Sequence, residues 1–168
     1  MALKRILSSA HLAQGPLPEL SEFEFGMIVA GHAFDRWMVR CMAAAGQADM
    51  TVTEVLILHH IHHQGRGKKL ADICFTLNYE DSHVVNYALK KLLHLGLLRS
   101  EKQGKEVYYA TSKAGAQLVE QYRLIRDQCL LSDLSGPLGD PELLARLAQS
   151  LRSLSGIYDQ AARSAGSL

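Results

Sequence analysis

Cysteine is scarce in this chain of 168 residues, and the three that occur, Cys41, Cys74 and Cys129, are widely spaced. There is no CxxC pair, so neither a disulfide framework nor a thiolate zinc site is expected. All three lie among apolar neighbours in the sequence. We therefore predict that they are small, buried hydrophobic side chains.

Long apolar runs are also missing. A membrane-spanning helix needs about 18 or more consecutive apolar residues, and none of the apolar stretches in this sequence is that long. The stretch at residues 6–13 is interrupted by Ser8, Ser9 and His11, and it is too short and polar for a signal peptide. We therefore expect a cytoplasmic protein with no membrane partner.

Charge is balanced over the whole chain but not over its middle. The net charge is 18 − 17 = +1. Between Ser82 and Lys113, six basic residues stand against two acidic ones, a local charge of +4 that leaves −3 on the remainder. The basic residues are Lys90, Lys91, Arg99, Lys102, Lys105 and Lys113. A local basic surface on a nearly neutral protein favours contact with phosphates.

The patterns of common enzyme sites are absent from the sequence. We find no nucleophile–base pair, phosphate-binding loop or paired carboxylates, so we do not expect an enzyme. Four histidines crowd one segment: His59, His60, His62 and His63. His59 and His63 are four residues apart and could reach one metal ion from the same helix face, but the glutamate of an HExxH motif is missing. Surface histidines with one buried member are the simpler interpretation, and a metal-responsive regulator is an alternative.

Apolar residues recur every three or four positions in the first third of the chain. Residues 1–18 form a short arm that ends in a Gly- and Pro-containing break, and a long helix is predicted from about Glu19 to Ala45. Its apolar stripe consists of Phe23, Met27, Ala30, Phe34, Met38, Cys41 and Ala45. Thr51 and Glu54 then match a capping box that opens a second helix.

The segment 70–111 predicts a helix-turn-helix followed by a β-wing. A short helix covers Leu70 to about Leu77, residues 78–80 form the turn, and Asp81 or Ser82 caps a helix that reaches about Leu95. That helix has two faces. Its core face is Val85, Ala88, Leu89 and Leu92, and its outward face is Ser82, His83, Asn86, Tyr87, Lys90 and Lys91.

Two short strands and two further helices complete the predicted order. The strands cover residues 97–102 and 106–110, joined at Gln103-Gly104-Lys105. Ser112 caps a fifth helix that runs to about Leu131, with Leu118, Tyr122, Ile125 and Cys129 on one side. Asp140 and Pro141 open a sixth helix. The apolar stripe of the sixth helix is Leu144, Leu147, Leu151, Leu154 and Tyr158.

This order of elements resembles the MarR family of transcription regulators. The resemblance covers residue 19 to the C-terminus and rests on Leu70-Ala71-Asp72-Ile73, on Asp81 to Tyr87 and on Leu92 to Leu98. It implies a mainly α fold with a small β-wing, in which a winged helix-turn-helix (51–111) is flanked by long dimerisation helices (19–46 and 112–168). The chain departs from the family at the wing tip, where an Asp-x-Arg pattern is usual and Gln103-Gly104-Lys105 stands instead. A wing without this arginine is expected to bind the DNA backbone rather than read the minor groove.

The predicted function is sequence-specific binding of double-stranded DNA by a transcription regulator. We expect the helix at about 81–95 to enter the major groove and the wing at 97–110 to lie on the backbone. The predicted DNA-binding residues are Ser82, His83, Asn86, Tyr87, Lys90, Lys91, Lys68, Lys69, Lys102 and Lys105. Asn86 can bond adenine in bidentate fashion, and the lysines are predicted to contact phosphates.

A homodimer is expected because one such helix reads few base pairs and the terminal helices carry more apolar surface than a monomer can bury. The predicted interface comprises the sixth helix, the fifth helix and the N-terminal arm. The family resemblance implies a small-molecule effector in a cleft where Trp37, His32 and Arg36 are candidates; no other cofactor is expected. The competing interpretation is a winged-helix protein–protein interaction module that does not bind DNA.

Overall fold

The computed structural model describes residues 16–63 and 65–168. The predicted N-terminal arm therefore lies mostly outside the described residues. The elements follow the predicted order: α1 Pro18–Ala44, α2 Val52–His62, α3 Leu70–Leu77, α4 Ser82–His94, β1 Leu98–Gln103, β2 Glu106–Thr111, α5 Lys113–Cys129 and α6 Pro141–Ala165, with 3₁₀ segments at Leu131–Asp133 and Gly136–Gly139 between α5 and α6. This mainly α fold with a small antiparallel wing confirms the predicted fold class.

The chain forms two compact units, which divide between Ile125 and Arg126. The first contains the helix-turn-helix and the wing. The second contains α6, whose start is the predicted one: the Asp140 side chain accepts hydrogen bonds from the backbone N–H groups of Glu142 and Leu143, and Pro141 is the first helical residue. No helix in the described part of the chain is long and apolar enough to cross a membrane.

One hydrophobic core holds the first unit together. Its buried side chains come from the C-terminal end of α1 and from α2, α3, α4, β1 and α5. The predicted core face of α4 is confirmed, since Val85, Ala88, Leu89 and Leu92 are all buried. Fully burying a valine or leucine side chain contributes roughly 1.5–3 kcal/mol, so α4 is anchored chiefly by this face.

The apolar stripe of α1 is buried only at its C-terminal end. Met38 and Cys41 belong to the core, whereas Phe23 and Phe34 are 37% and 54% exposed. The periodicity was predicted correctly, but the described part of the chain does not cover the first half of the stripe.

The prediction for the cysteines is correct for Cys41 and wrong for Cys129. Cys41 is buried, Cys74 is half-buried and Cys129 is exposed. Burial raises the pKa of the Cys74 thiol. Cys129 is the last residue of α5, beyond the part of that helix that packs on the core, so the helical period did not bury it.

The junction between wing and α5 depends on one serine and one glycine. The Ser112 hydroxyl donates to the carbonyl of Gly96 at 2.6 Å and accepts from the N–H of Gly115 at 3.0 Å, which confirms the predicted cap. A Cβ on Gly115 would lie 2.1 Å from the carbonyl oxygen of Leu97. Glycine is therefore required at position 115, where the first turn of α5 packs against the backbone of Leu97.

Candidate nucleic-acid interface

The outward face of α4 is polar and mostly open to solvent. Ser82, His83 and Lys90 are exposed, Tyr87 is 73% exposed, and Asn86 is half-buried. The helix-turn-helix brings these predicted residues together along one side of a helix whose opposite side is core. A hydroxyl, an imidazole, an amide and a phenol therefore share one surface that can donate to and accept from base edges.

The start of α4 is fixed by local hydrogen bonds in the turn. Asn78 adopts the left-handed conformation that ends α3, with φ of 56°. Asp81 is the cap, and its carboxylate accepts from the N–H of His83 at 2.8 Å. The Tyr79 hydroxyl donates to the Thr53 hydroxyl at 3.1 Å, which ties the turn to α2. These bonds restrain α4 before any ligand is present.

Lys91 does not belong to the open face. Its Nζ donates to Oε2 of Glu54 at 2.9 Å and to the carbonyl of Asp49 at 2.6 Å. Glu54 is 2% exposed and also completes the predicted capping box by accepting from the N–H of Thr51 at 2.8 Å. The ammonium of Lys91 thus neutralises a buried carboxylate, so its predicted role as a phosphate contact is corrected to a structural one.

Lys68 is a second correction. It is 8% exposed, and its Nζ donates to the carbonyl of His60. Its backbone pairs with Tyr109 of β2, through N–H···O bonds of 2.9 and 2.8 Å. Burial lowers the pKa of the Lys68 ammonium, and the nearby Arg66 lowers it further. Because this ammonium is bound to a backbone carbonyl inside the protein, the prediction that Lys68 contacts phosphate is wrong.

Lys69 is half-buried and paired. Its Nζ lies 3.0–3.1 Å from both carboxylate oxygens of Glu106, and 5.9 Å from the centre of the Tyr108 ring. The hydrogen bond to Glu106 raises the pKa of Lys69. The Tyr108 hydroxyl donates to the same carboxylate at 3.1 Å. These three side chains link the start of α3 to the wing.

The wing projects two further lysines. β1 and β2 pair from Leu98↔Thr111 to Gln103↔Glu106, so Gln103 is part of the ladder and the turn consists of Gly104 and Lys105. Gly104 has φ of +64°, a conformation that suits glycine in such a short turn. Lys102 and Lys105 are exposed. Together with Lys90 they are the predicted contacts whose ammonium groups have no acidic partner in the described part of the chain.

Comparison with known proteins agrees with this geometry. The family model of the winged helix DNA-binding domain matches residues 50–115, which contain α2, the helix-turn-helix and the wing. A MarR-family transcriptional regulator from Rhodococcus sp. RHA1 is 13% identical and superimposes with a TM-score of 0.66, covering 84% of this chain and 95% of that one. The fold is that of the MarR family. No curated protein sequence matches the chain.

Two further structures with the MarR-type fold bind ligands. One is a mutant MarR from E. coli in complex with operator DNA, which is 17% identical with a TM-score of 0.66 and covers 84% of this chain and 99% of that one. The other is CouR from Rhodococcus jostii RHA1 bound to p-coumaroyl-CoA, which is 15% identical with a TM-score of 0.64 and covers 79% and 90% of the two chains.

The histidine segment of this MarR-type fold is divided between core and surface. The His59 ring meets the Tyr122 ring edge-on at 4.5 Å, and its Nδ1 is 2.9 Å from the carbonyl of Val55. Burial lowers the pKa of His59, and the nearby His62 lowers it further. His63 is exposed. Among the described residues no group of three or more metal-ligating side chains comes together.

The three predicted effector-cleft residues do not share one surface. Trp37 is partly buried and packs against the core, whereas His32 and Arg36 are exposed. Arg36 lines a shallow depression of about 300 Å³ with Asp35, Val39, Arg40 and Val52. Neither Trp37 nor His32 contributes to it.

Proposed function

We propose that this protein is a sequence-specific double-stranded DNA-binding transcription regulator that acts as a homodimer. The observation that carries the proposal is the exposed polar face of α4, on a helix whose other face is fixed in the core. The match to a winged helix DNA-binding domain supports it. Base-edge contacts come from Ser82, His83, Asn86 and Tyr87, and phosphate contacts from Lys90, Lys102 and Lys105, with Lys69 at the start of α3.

The chemistry of these side chains decides which of them read bases and which bind phosphates. The amide of Asn86 can accept and donate at once, which matches the N7 and N6 edge of adenine. Lysine ammonium groups are point charges that bind phosphates without reading sequence. Since the wing tip carries Lys105 and no arginine, the wing holds the backbone and contributes little sequence reading.

Selection of bound duplexes from a random DNA library tests this proposal. We expect a near-palindromic sequence with two half-sites about one helical turn apart. Asn86→Ala is expected to relax selection at one base pair in each half-site, at a cost of about 1–3 kcal/mol per half-site. His94→Ala, at the other end of α4, is the matched control and should leave the sequence unchanged. Recovery of no enriched sequence would contradict the proposal and favour a protein–protein module.

The homodimer is supported by apolar side chains left open on two helices. Ile28 and Val29 of α1 are 55% and 52% exposed, and Leu147 and Leu151 of α6 are 41% and 47% exposed. We propose that a second copy covers these surfaces. Each fully covered side chain of this kind contributes about 1.5–3 kcal/mol to association at most.

Sedimentation equilibrium tests the dimer. Leu147→Glu should shift the protein toward monomer, because a carboxylate would be buried in an apolar interface. Gln149→Glu introduces the same charge at an exposed polar position of α6 and should leave the mass unchanged. A monomer in the unmodified protein, or equal effects of both variants, would refute the interface.

Response to a small-molecule effector is also proposed, by analogy with the complex of CouR. Since Arg36 is the predicted cleft residue that lines a depression, Arg36→Ala should weaken the release of DNA by an effector that binds there. His32→Ala, an exposed residue outside that depression, is its control. Equal responses of the two variants would place the effector elsewhere.

A further inference from the structure

A basic groove lies beside the helix-turn-helix, and Lys69 is the one proposed DNA contact that lines it. Its volume is about 690 Å³. It is formed by the end of α2, the α2–α3 loop, one side of α3 and β2, and no residue of α4 lines it. The charged and titratable residues of the lining are His60, His63, Arg66, Lys68, Lys69 and Asp72.

The groove has an excess of positive charge. Three cations, Arg66, Lys68 and Lys69, stand against the carboxylates of Asp72 and of Glu106, which pairs with Lys69, so the local excess is one positive charge. Asp72 already accepts from the backbone N–H of Lys69 at 3.3 Å. The guanidinium of Arg66 has no acidic partner among the described residues, and it is exposed. Arginine in such a position is suited to bidentate recognition of a phosphate.

His60 provides a second, independent sign of a ligand. Its Nε2 is buried and has no hydrogen-bond partner in the described part of the chain. Buried polar atoms without a partner are rare in folded proteins. Burial lowers the pKa of His60, and Lys68 and His63 lower it further while Asp72 raises it. Because this nitrogen is closed to solvent, the ring must turn toward the groove before Nε2 can donate to an anion bound there.

The floor of the groove is held in place before any ligand arrives. The loop is joined to β2 by the two backbone hydrogen bonds between Lys68 and Tyr109. Gly67 lies so close to the wing that an added Cβ would be 3.2 Å from the Cβ of Tyr108. Such a site needs little ordering on binding, which favours affinity.

We propose that this groove binds the phosphate group of a small ligand. Arg66 provides the main charged contact, and the Tyr108 ring provides an apolar wall for the rest of the molecule. His60 donates from Nε2 once its ring has turned toward the groove. The volume exceeds what one phosphate fills, so the ligand carries further atoms. No residue of α4 lines the groove, which favours a compact ligand over the duplex.

The groove is connected to the wing through Lys69. This residue lines the groove and also bonds to Glu106, at the start of β2. An exposed ion pair of this kind is weak, so a bound phosphate can draw the ammonium away from Glu106. Ligand binding would then loosen the link between α3 and the wing and lower DNA affinity. This coupling rests on the proposed function, whereas the phosphate site does not.

Titration of the full chain with inorganic phosphate, without DNA, tests the site. The readout is the NMR signal of the His60 ring at constant pH, identified by its loss in His60→Gln. We expect a saturable shift that matched concentrations of sodium chloride do not cause. Arg66→Ala should weaken phosphate binding by about tenfold or more. Arg40→Ala removes an exposed arginine of α1 and should bind phosphate like the unmodified protein. Absence of a saturable shift, or equal affinities of the two variants, would overturn the site.

DNA binding by the same variants separates the possible sources of the phosphate. For a small ligand, Arg66→Ala should leave DNA affinity within about twofold of the unmodified protein, since its contact is outside the DNA surface. A large loss would assign the groove to the DNA backbone and overturn the small-ligand proposal.

The coupling to the wing has its own test. Phosphate should release DNA from the unmodified protein more than chloride of equal ionic strength does, and Glu106→Gln should reduce this difference. An equal difference in Glu106→Gln would overturn the coupling alone.

Discussion

Two neighbouring lysines of α4 have different surroundings, and this difference gives the sharpest prediction on stability. Lys91 bonds to the carboxylate of Glu54 at 2.9 Å and to the carbonyl of Asp49 at 2.6 Å, whereas Lys90 is exposed. Replacing Lys91 by alanine would leave the Glu54 carboxylate buried with one backbone N–H, from Thr51, as its remaining described donor. We therefore expect Lys91→Ala to destabilise the fold and Lys90→Ala to leave it nearly unchanged.

The expected loss follows from burial on the two sides of this ion pair. Removing one partner of a fully buried pair costs about 3–5 kcal/mol. The Glu54 side chain is 3% exposed, but the Lys91 side chain is 33% exposed, so water can replace part of the lost interaction. We expect a decrease of about 2–3 kcal/mol in the free energy of unfolding, and a decrease in Tm of about 5–10 °C.

Urea denaturation followed by circular dichroism measures this difference. Lys90→Ala is the matched control and should lie within about 0.5 kcal/mol of the unmodified protein. A loss below about 1 kcal/mol in Lys91→Ala would refute the reasoning, because the carboxylate would then not depend on this lysine. Equal losses in the two variants would also refute it, since helix propensity rather than the pair would be the cause.

Two further predictions concern His59 and Ser112. Burial lowers the pKa of His59 in the folded state. As the pH falls through about 6.5, this histidine therefore takes up a proton first in the unfolded state. The free energy of unfolding should decrease from pH 7 to pH 5 as a result. His59→Phe should reduce this decrease in urea denaturation, whereas His94→Phe, at an exposed position, should not; parallel curves for all three proteins would exclude His59 as a cause. Ser112→Ala removes the cap of α5 and should cost about 1–2 kcal/mol, measured in the same way, whereas Ser100→Ala on the exposed side of β1 should have almost no effect.

Local sequence signals predicted the helices and the wing well. The bounds of α3, the capping box at Thr51, the cap at Asp81 and the proline that starts α6 are all as expected. These features depend on residues within one helical turn of each other, so a few neighbouring residues in the sequence are enough to predict them. The core face of α4 was also predictable, because its period of 3.6 is regular over three turns.

The directions of the lysine side chains could not be predicted in this way. Lys91 pairs with Glu54, which is 37 positions away, and Lys68 is held by a pairing with β2 that is 41 positions away. A lysine has a long, flexible stem, and the pattern alone does not say whether its ammonium points to solvent or to an acceptor on another element. The basic groove was not predicted either: all of its lining residues except Tyr108 lie within residues 60–76, but the sequence does not show which of their side chains face the same space.

The exposed half of the α1 stripe shows a further limit of prediction from hydrophobic periodicity. Periodicity identifies an apolar face but not what covers it. Phe34 lies on the predicted stripe and is 54% exposed, although Met38, one turn later, is 3% exposed. The sequence predicted the face, and the tertiary fold decides where one chain can bury it.

The central claim is that α4 and the wing bind duplex DNA through Lys90, Lys102 and Lys105. The most direct test is the affinity for a selected duplex as a function of salt concentration. Four phosphate contacts on each protomer, with Lys69 as the fourth, make eight on a dimer and predict that log K falls with log[salt] with a slope of about −7. Lys90→Ala should make the slope shallower by about 2, because two contacts are lost from the dimer, and Lys91→Ala should leave it unchanged. A slope near zero, or equal slopes for the unmodified protein and Lys90→Ala, would contradict the account.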